Sequence, residues 1–333
     1  MKTLHGKTCI VTGGAGFVGM HLTRALLRLG AQVTVIDNLS TSCPGAQTRL
    51  ASPAGTATFI QHDIIHPIDI TGDILFNLAC PASPKHYQKD PQQAWKASVL
   101  GAMHLGEMAV RNGLVFVQAS TSEVYGDPEV HPQTESYWGN VSPQGKRACY
   151  DEGKRAAETY LSDLARIQGL DLRIARIFNT YGPGMAFDDG RAVSNFAIQA
   201  LNGTPLTVFG DGSQTRSLCY VDDLVLGLIA LALAPEARGE TINLGNPTEH
   251  TVREIAEMIL RVADIDAPLN FGPLPQHDPK KRRPDISKAR DILGWSPKIG
   301  VHEGLARVIE DFRSRLADGE RLSQNLERTA DAL

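Results

Sequence analysis

The chain of 333 residues is poor in cysteine, and its five cysteines (Cys9, Cys43, Cys80, Cys149 and Cys219) are odd in number and scattered. With no Cys-x-x-Cys and no Cys/His cluster, neither a disulfide framework nor a zinc site is expected, and a reducing compartment suits the thiols. Long apolar runs are missing too. The longest, LVLGLIALALA at 224–234, falls short of the roughly 20 residues a bilayer span takes. The opening MKTLHGKTCIVTGG runs straight into a strand without a signal-peptide apolar region, so a cytoplasmic protein that does not meet a membrane is expected. Nor is there an excess of positive charge. The net charge of −4 and pI near 6.2 argue against a general nucleic-acid binder. A basic site for a small anion must therefore be local. No period of roughly 20–50 residues recurs and no segment is of low complexity.

What is present is an ordinary globular composition, 42% hydrophobic and 21% charged, long enough for one large α/β domain with an appended lobe. TCIVT (8–12), QVTVID (32–37), ILFNLA (74–79) and LVFVQAS (114–120) read as buried parallel strands. HLTRALLRLG (21–30) and the stretch from Trp95 to Arg111 read as helices between them. This alternation predicts an α/β fold: a Rossmann-type doubly wound parallel sheet with a smaller C-terminal substrate-binding lobe. In the second half RIARIFNTYG (173–182), LTVFG (206–210) and TINLG (241–245) read as strands. YVDDLVLGLIALALA and TVREIAEMIL read as helices, and ISKARDILG as a short helix with Asp285 as N-cap and Gly294 past its end. GPGMAFDDG and FGPLPQHDP read as loops. The expected division is a dinucleotide-binding domain over 1–180 with about 216–246 returning to it, a substrate lobe over 181–215 and 247–315, and a polar tail over 316–333.

VTGGAGFVG follows the first strand and opens the first helix. Gly14-x-Gly16-x-x-Gly19 fits the dinucleotide fingerprint, and Gly13 adds a Gly-x-x-Gly-x-x-Gly spacing. Such glycines let backbone N–H groups approach a pyrophosphate at a helix N-terminus. Asp37 ends the second strand, where an acid binds the adenosine ribose hydroxyls and repels a 2′-phosphate, so NAD is expected over NADP. Asp63, in QHDI, is weighed equally as an adenine contact and as a structural acid. Phe17, Val18, Asn38, Ile64 and Ala79, beside these positions, complete the expected cofactor contacts.

RACYDEGKRAAE puts Tyr150 and Lys154 four residues apart, on one helix face. A nearby ammonium lowers a phenol's pKa, so Tyr150 becomes a candidate base, with Lys154 also reaching the nicotinamide ribose. The plain alternative is a surface pair. The glycine loop and the Ser/Thr-ended strand before it favour hydride chemistry, with Thr121 sharing the proton that Tyr150 removes.

On these motifs the chain resembles an extended short-chain dehydrogenase of the sugar-nucleotide branch. NLACPASPKHY, STSEVYGDP, YWGNVSPQGKRACYDEGKR, DDGRAVSNF, GDGSQTRS and KKRRPDISKA resemble the UDP-glucuronic acid decarboxylases. The resemblance runs from about residue 8 to about 312. It implies Tyr150 as base with Lys154 and Thr121, Glu123 as a further catalytic group, and Arg282 facing the sugar carboxylate. It implies Tyr87 and Ser122 beside the sugar, and Asn179, Arg191, Gln214 and Arg216 around UDP. Three positions depart from the family pattern: Asn77 where His is usual, Ser98 where Asn is usual, and Gly184 where Arg is usual. The loop TSCPGAQTRL also lacks usual basic residues near adenosine.

The implied chemistry oxidises C4 of the sugar, loses CO₂ from the resulting β-keto acid and reduces the ketone again. Glu123 then stands beside an anionic substrate, where it raises the ground state of the acid, orders a water or helps protonate C5. Rival expectations are a UDP-glucuronic acid 4-epimerase, an oxidative decarboxylase that releases the 4-keto pentose, and a silent NAD-binding sensor or scaffold. A homodimer is expected through the helices near 95–111 and 148–167, with Ala102, Leu105, Ala109, Ala156, Tyr160 and Leu164 facing the second copy.

Overall fold

The computed structural model describes residues 4–42, 50–52, 54–273 and 281–320. Most of the loop 41–50 with Cys43, most of the Gly/Pro-rich stretch 271–279, Lys280 and the tail from 321 lie outside the described residues.

Seven strands form one parallel sheet: β1 (Thr8–Thr12), β2 (Gln32–Asp37), β3 (Thr58–Gln61), β4 (Ile74–Asn77), β5 (Val115–Thr121), β6 (Asp171–Ile177) and β7 (Thr241–Leu244). Their spatial order is 7-6-5-4-1-2-3. The order reverses between β1 and β4, which opens a crevice at the carboxyl ends of those strands. Alternate side chains feed two cores. Val11, Val35, Phe76 and Val117 enter the core that also takes Leu22 and Leu26. Ile10, Ile36, Leu75 and Phe116 enter the core on the opposite face, with Leu105 and Leu161. Both faces are covered, so the strands read as continuous apolar runs.

The helices are α1 (Phe17–Arg28), α2 (Pro84–Lys89), α3 (Pro91–Asn112), α4 (Ala148–Gln168), α5 (Ala192–Leu201), α6 (Val221–Leu233), α7 (Val252–Ala263), α8 (Ser287–Leu293) and α9 (Val301–Ala317). Helix α1 starts four residues before the apolar pattern does, directly on the glycine loop. Helix α3 starts at Pro91 because the Asp90 side chain accepts from the Gln93 N–H. Asp285 accepts from the Ser287 N–H at 2.8 Å, one residue ahead of the helix boundary at Ile286, and Gly294 ends α8 in the left-handed region. The expected strand 173–182 is broken: β6 ends at Ile177, and Thr180–Tyr181 pairs instead with Cys219–Tyr220. Leu206–Phe209 pairs with Leu269–Gly272, outside the main sheet. The polar tail begins later than expected, since α9 reaches Ala317 and the buried Arg315 binds Glu320.

One expectation about surfaces is corrected. Ala102, Leu105 and Ala109 of α3 are fully buried, and Leu164 of α4 nearly so, in the core under the sheet. These residues cover their own sheet and present no face to a second copy. The outer side of α3 instead leaves Trp95 and Leu100 exposed, with Ala156 and Tyr160 of α4 half-buried. Among the described residues no helix is long and apolar enough to cross a membrane.

Candidate active site

The crevice at the strand-order reversal is lined by Gly13, Gly16, Phe17, Val18, Gly19, Asp37, Asn38, Asp63, Ile64 and Ala79. The glycines are there for close approach. A Cβ on Gly19 would lie 2.1 Å from the Gly13 carbonyl oxygen, and one on Gly13, whose φ is +68°, 2.8 Å from the Ala79 backbone. Asp37 ends β2 and ties the turn together: Oδ2 accepts from the Ala15 N–H at 3.0 Å and Oδ1 from the Leu39 N–H at 2.8 Å. Asp63 accepts from Asn38 Nδ2 and Gln93 Nε2, both at 2.9 Å. A glycine cradle, a helix start and an acid at the next strand end fit a dinucleotide with unphosphorylated ribose hydroxyls.

The positions that depart from the usual pattern are accommodated. Asn77 is buried and accepts from Thr12 Oγ1 at 2.7 Å while donating to Gln118 Oε1 at 2.8 Å. Ser98 Oγ lies 3.2 Å from Cys80 Sγ. Gly184 has φ +84°, and its N–H donates to Asp311 Oδ2 at 2.9 Å.

Strand β5 ends at Thr121 and turns at once into a 3₁₀ turn, Ser122–Tyr125, so that Thr121, Ser122 and Glu123 leave the sheet together. Thr121 Oγ1 accepts from the Glu123 N–H at 3.2 Å and is hydrogen-bonded to the Tyr150 hydroxyl. Helix α4 brings Tyr150 and Lys154 to the same place from its first turns. Lys154 Nζ donates to the Ala119 carbonyl at 2.8 Å and stands 5.9 Å from the Tyr150 ring centroid. The expected lowering of the Tyr150 pKa is not present in the protein alone. Burial pushes the phenol well above its ordinary value, Cys80 adds to this, and the Thr121 hydrogen bond only partly opposes it. Lys154 directs its ammonium at a backbone carbonyl rather than at the Tyr150 hydroxyl. Tyr87 stacks on Tyr150, with centroids 5.3 Å apart and planes 8° from parallel, and its buried hydroxyl has no hydrogen-bond partner among the described residues.

Glu123 meets Arg282 across 159 residues of chain. Arg282 Nη2 donates to Oε2 at 2.9 Å and Nη1 makes a shorter contact to Oε1. Arg147, the residue just before α4, pairs with the same Oε2. Burial opposes the charge on Glu123, yet the two guanidiniums outweigh it and hold the carboxyl down at about 2. Arg282 is fixed through its neighbours by the fully buried Gln133. The Gln133 N–H donates to the Arg283 carbonyl, Gln133 Oε1 accepts from the Arg283 N–H, and the Gln133 carbonyl accepts from the Asp285 N–H, each at 2.8 Å. Asn243, at the end of the sheet, donates to the carbonyls of Gln133 at 3.0 Å and Asp285 at 3.1 Å. Asp151 lies buried beside this cluster. Burial, and then the Glu123 charge, push its carboxyl up to about 7.

The residues expected around UDP lie elsewhere. Arg191 lines the cofactor crevice and is held by Asp189, with Nε 3.0 Å from Oδ1. Gln214 donates to the Phe209 carbonyl at 2.7 Å, and Arg216 to the Thr215 carbonyl at 2.8 Å on a short strand paired with Glu249–Thr251. Asn179 follows β6 half-buried, its carbonyl accepting from the Cys219 N–H. Sequence reasoning missed Arg147, Asp151 and Gln133. The first two lie inside the RACYDEGK stretch and carried a signal only as charges beside a candidate base. Gln133 carried none.

Residues 9–245 match the model of the NAD dependent epimerase/dehydratase family. The chain belongs to that family. Its relatives include UDP-glucuronic acid decarboxylase 1 of Arabidopsis thaliana, 51% identical over 92% of this chain and 70% of that one. UDP-glucuronic acid decarboxylase 1 of Danio rerio is 47% identical over 93% of this chain and 73% of its own. Among solved structures, an epimerase from Methanothermobacter thermautotrophicus matches with a TM-score of 0.86 and 31% identity, covering 94% of each chain. UDP-glucuronic acid 4-epimerase from Bacillus cereus, in complex with UDP-glucuronic acid and NAD, matches with a TM-score of 0.82 and 28% identity, over 92% of this chain and 99% of that one. The two solved structures share the Rossmann-type fold described above.

Proposed function

We propose that the protein decarboxylates UDP-glucuronic acid to UDP-xylose. The observation that carries this reading is the Glu123–Arg282 contact beside Tyr150 and Thr121. A carboxylate-handling pair stands next to a hydride-transfer pair, in a chain about half identical to UDP-glucuronic acid decarboxylases.

When bound in the glycine crevice, NAD supplies a hydride acceptor at C4, a positive charge in the site, and later the same hydride back. Tyr150, aided by Thr121, takes the C4 hydroxyl proton. The 4-ketone places a carbonyl β to the carboxylate, so the C5–C6 bond breaks with its electron pair entering an enolate and CO₂ departing. Arg282 stabilises the charge that moves onto the enolate oxygen. Glu123 raises the energy of the charged acid, and that repulsion disappears with CO₂. C5 then takes a proton, and Tyr150 returns its proton as the ketone is reduced. One proton is consumed, one CO₂ is released and no net oxidation occurs. Lys154 orients the nicotinamide ribose and Tyr87 packs the sugar side of Tyr150, with Ser122 beside it. Asn179, Gln214 and Arg216 serve the UDP end, Gln214 from the lobe formed by 181–215 and 247–315 and the other two from its borders, and Arg191 reaches from the crevice wall toward the diphosphate.

The reading includes a homodimer built on the outer side of α3 and α4, where Trp95 and Leu100 are exposed. The free thiols of Cys9, Cys80, Cys149 and Cys219 suit a reducing, cytoplasmic setting. Incubation with UDP-glucuronic acid and no added NAD should yield CO₂ and UDP-xylose. Release of the C4 epimer with its carboxylate intact would establish the epimerase instead, and release of a 4-keto pentose with reduced cofactor the oxidative enzyme.

A further inference from the structure

The charge count around Glu123 does not close with Arg282 alone. If the substrate's carboxylate arrives beside Glu123, as the proposed decarboxylation requires and on which this inference rests, two carboxylates share one buried space. A single guanidinium would leave a net negative charge out of water, which is costly unless paired. The structure supplies a second guanidinium. Arg147 binds Glu123 Oε2, the oxygen that also receives Arg282 Nη2, and its side chain keeps 22% of its exposure where that of Arg282 keeps 6%. Two polar groups beside it are left without partners among the described residues: the Tyr87 hydroxyl and Asp151 Oδ1. Asp151, pushed up to about 7, does not fully serve as a second anion at neutral pH. The pocket thus holds two fixed cations, one committed anion and unsatisfied polar atoms, which is the complement of one more carboxylate.

We propose that Arg147 is a second receptor for the sugar carboxylate and sets the preference for the acid, and that Glu123 holds the two guanidiniums in place until the substrate anion joins them. Arg147 precedes the helix that carries Tyr150 and Lys154, so an anion drawn to it is drawn to the reacting centre. Two cations against two carboxylates balance when the substrate is bound, and when neutral CO₂ leaves, the negative charge passes to the enolate, which the same two guanidiniums then face.

The test compares UDP-glucuronic acid with UDP-glucose, the same ring with a neutral CH₂OH in place of the carboxylate. NAD-loaded Tyr150→Phe protein binds without turning over, and calorimetry gives both dissociation constants with and without Arg147→Gln. Losing one charged partner should weaken the acid roughly 10- to 100-fold and change UDP-glucose by less than about twofold. Arg147→Lys should restore part of the preference. An unchanged ratio of the two constants overturns the proposal. So does equal weakening of both ligands in the Gln and Lys variants, which would make Arg147 a support of the fold. If the parent itself shows no preference for the acid, the decarboxylase reading fails, and with it this proposal.

Discussion

Arg282 Nη2 lies 2.9 Å from Glu123 Oε2, and the two residues are 159 positions apart in the chain. The contact joins a turn fixed by β5 to a segment fixed by Gln133, so either partner can be removed without touching Tyr150. Tyr150→Phe should abolish every step, including any transient reduced-cofactor signal. Glu123→Ser and Arg282→Ala should slow CO₂ release by about 10²–10⁴-fold and oxidation at C4 much less, so reduced cofactor accumulates on the enzyme. Single-turnover absorbance read alongside product analysis checks this. Wild-type CO₂ release in both variants would sink the assigned roles. Full loss of the absorbance signal in a folded Glu123→Ser protein would move Glu123 to the oxidation step.

Asp37 is expected to set the choice of NAD over NADP. Because it also ties down the Ala15 and Leu39 N–H groups, Asp37→Ala removes two backbone hydrogen bonds along with the ribose contact. NAD affinity should fall roughly 10-fold or more, and the discrimination against NADP should relax. Equal affinity of the wild type for both cofactors, by fluorescence titration, would show the assignment to be mistaken.

Gln133 touches no expected substrate atom, yet it makes three backbone contacts that set the position of Arg282. Gln133→Ala keeps the two bonds made by the Gln133 backbone and removes the side-chain bonds to the Arg283 N–H and the Val130 carbonyl. With each costing on the order of 1 kcal/mol, it should lower kcat/KM about 10-fold. NAD affinity should stay as in wild type, since the cofactor crevice is built from other elements. A parallel loss of NAD binding would mean that the substitution disturbs the whole fold.

The fold was legible where a pattern is local. The apolar runs of β1, β2 and β4 and the glycine loop state their structure within a few residues. The start of α3 depended on an Asp90 cap outside the apolar pattern. The break between Ile177 and Thr180 depended on a partner strand at Cys219–Tyr220 that no local pattern reveals. The candidate site followed the same rule. Tyr150, Lys154 and Thr121 announce themselves by spacing and context. The pairing of Arg282 with Glu123 is a tertiary fact, and Arg147 was hidden among ordinary surface charges. The opposite error occurred on α3, where small and apolar residues at helical spacing suggested an interface and turned out to pack the protein's own core.

A dimer should therefore form through the outer faces of α3 and α4. Leu100 is 38% exposed and Trp95 42%, while Tyr160 donates to Glu107 at 2.6 Å between the two helices. Wild-type protein should sediment as a dimer at micromolar concentration, and Leu100→Arg, which places a charge on that face without entering the core, should give a folded monomer. A monomeric wild type, or a Leu100→Arg dimer as tight as wild type, would locate the contact elsewhere or remove it.

Asp151 makes a prediction about pH whose sign is fixed. Its carboxyl titrates near 7 in the folded protein against an ordinary 3.8, raised by burial and by Glu123 and Glu152 and lowered in part by Arg147 and Arg282. Between those two values the folded state keeps a proton that the unfolded chain has given up. Stability from this residue is therefore undiminished below about pH 4 and falls as the pH rises to about 7, by on the order of 4 kcal/mol. Asp151→Asn keeps the shape, removes the charge and should remove that loss. Its melting temperature should match wild type near pH 4 and exceed it near pH 8, by several degrees. The gain at high pH separates this from a packing effect, which would shift both ends alike. If the variant is instead less stable than wild type near pH 8, Asp151 is ionised and paired with Arg147 there. The carboxylate count around Glu123 then rises by one in the free protein, and Asp151 must take up a proton, or be displaced, before the substrate's carboxylate can enter.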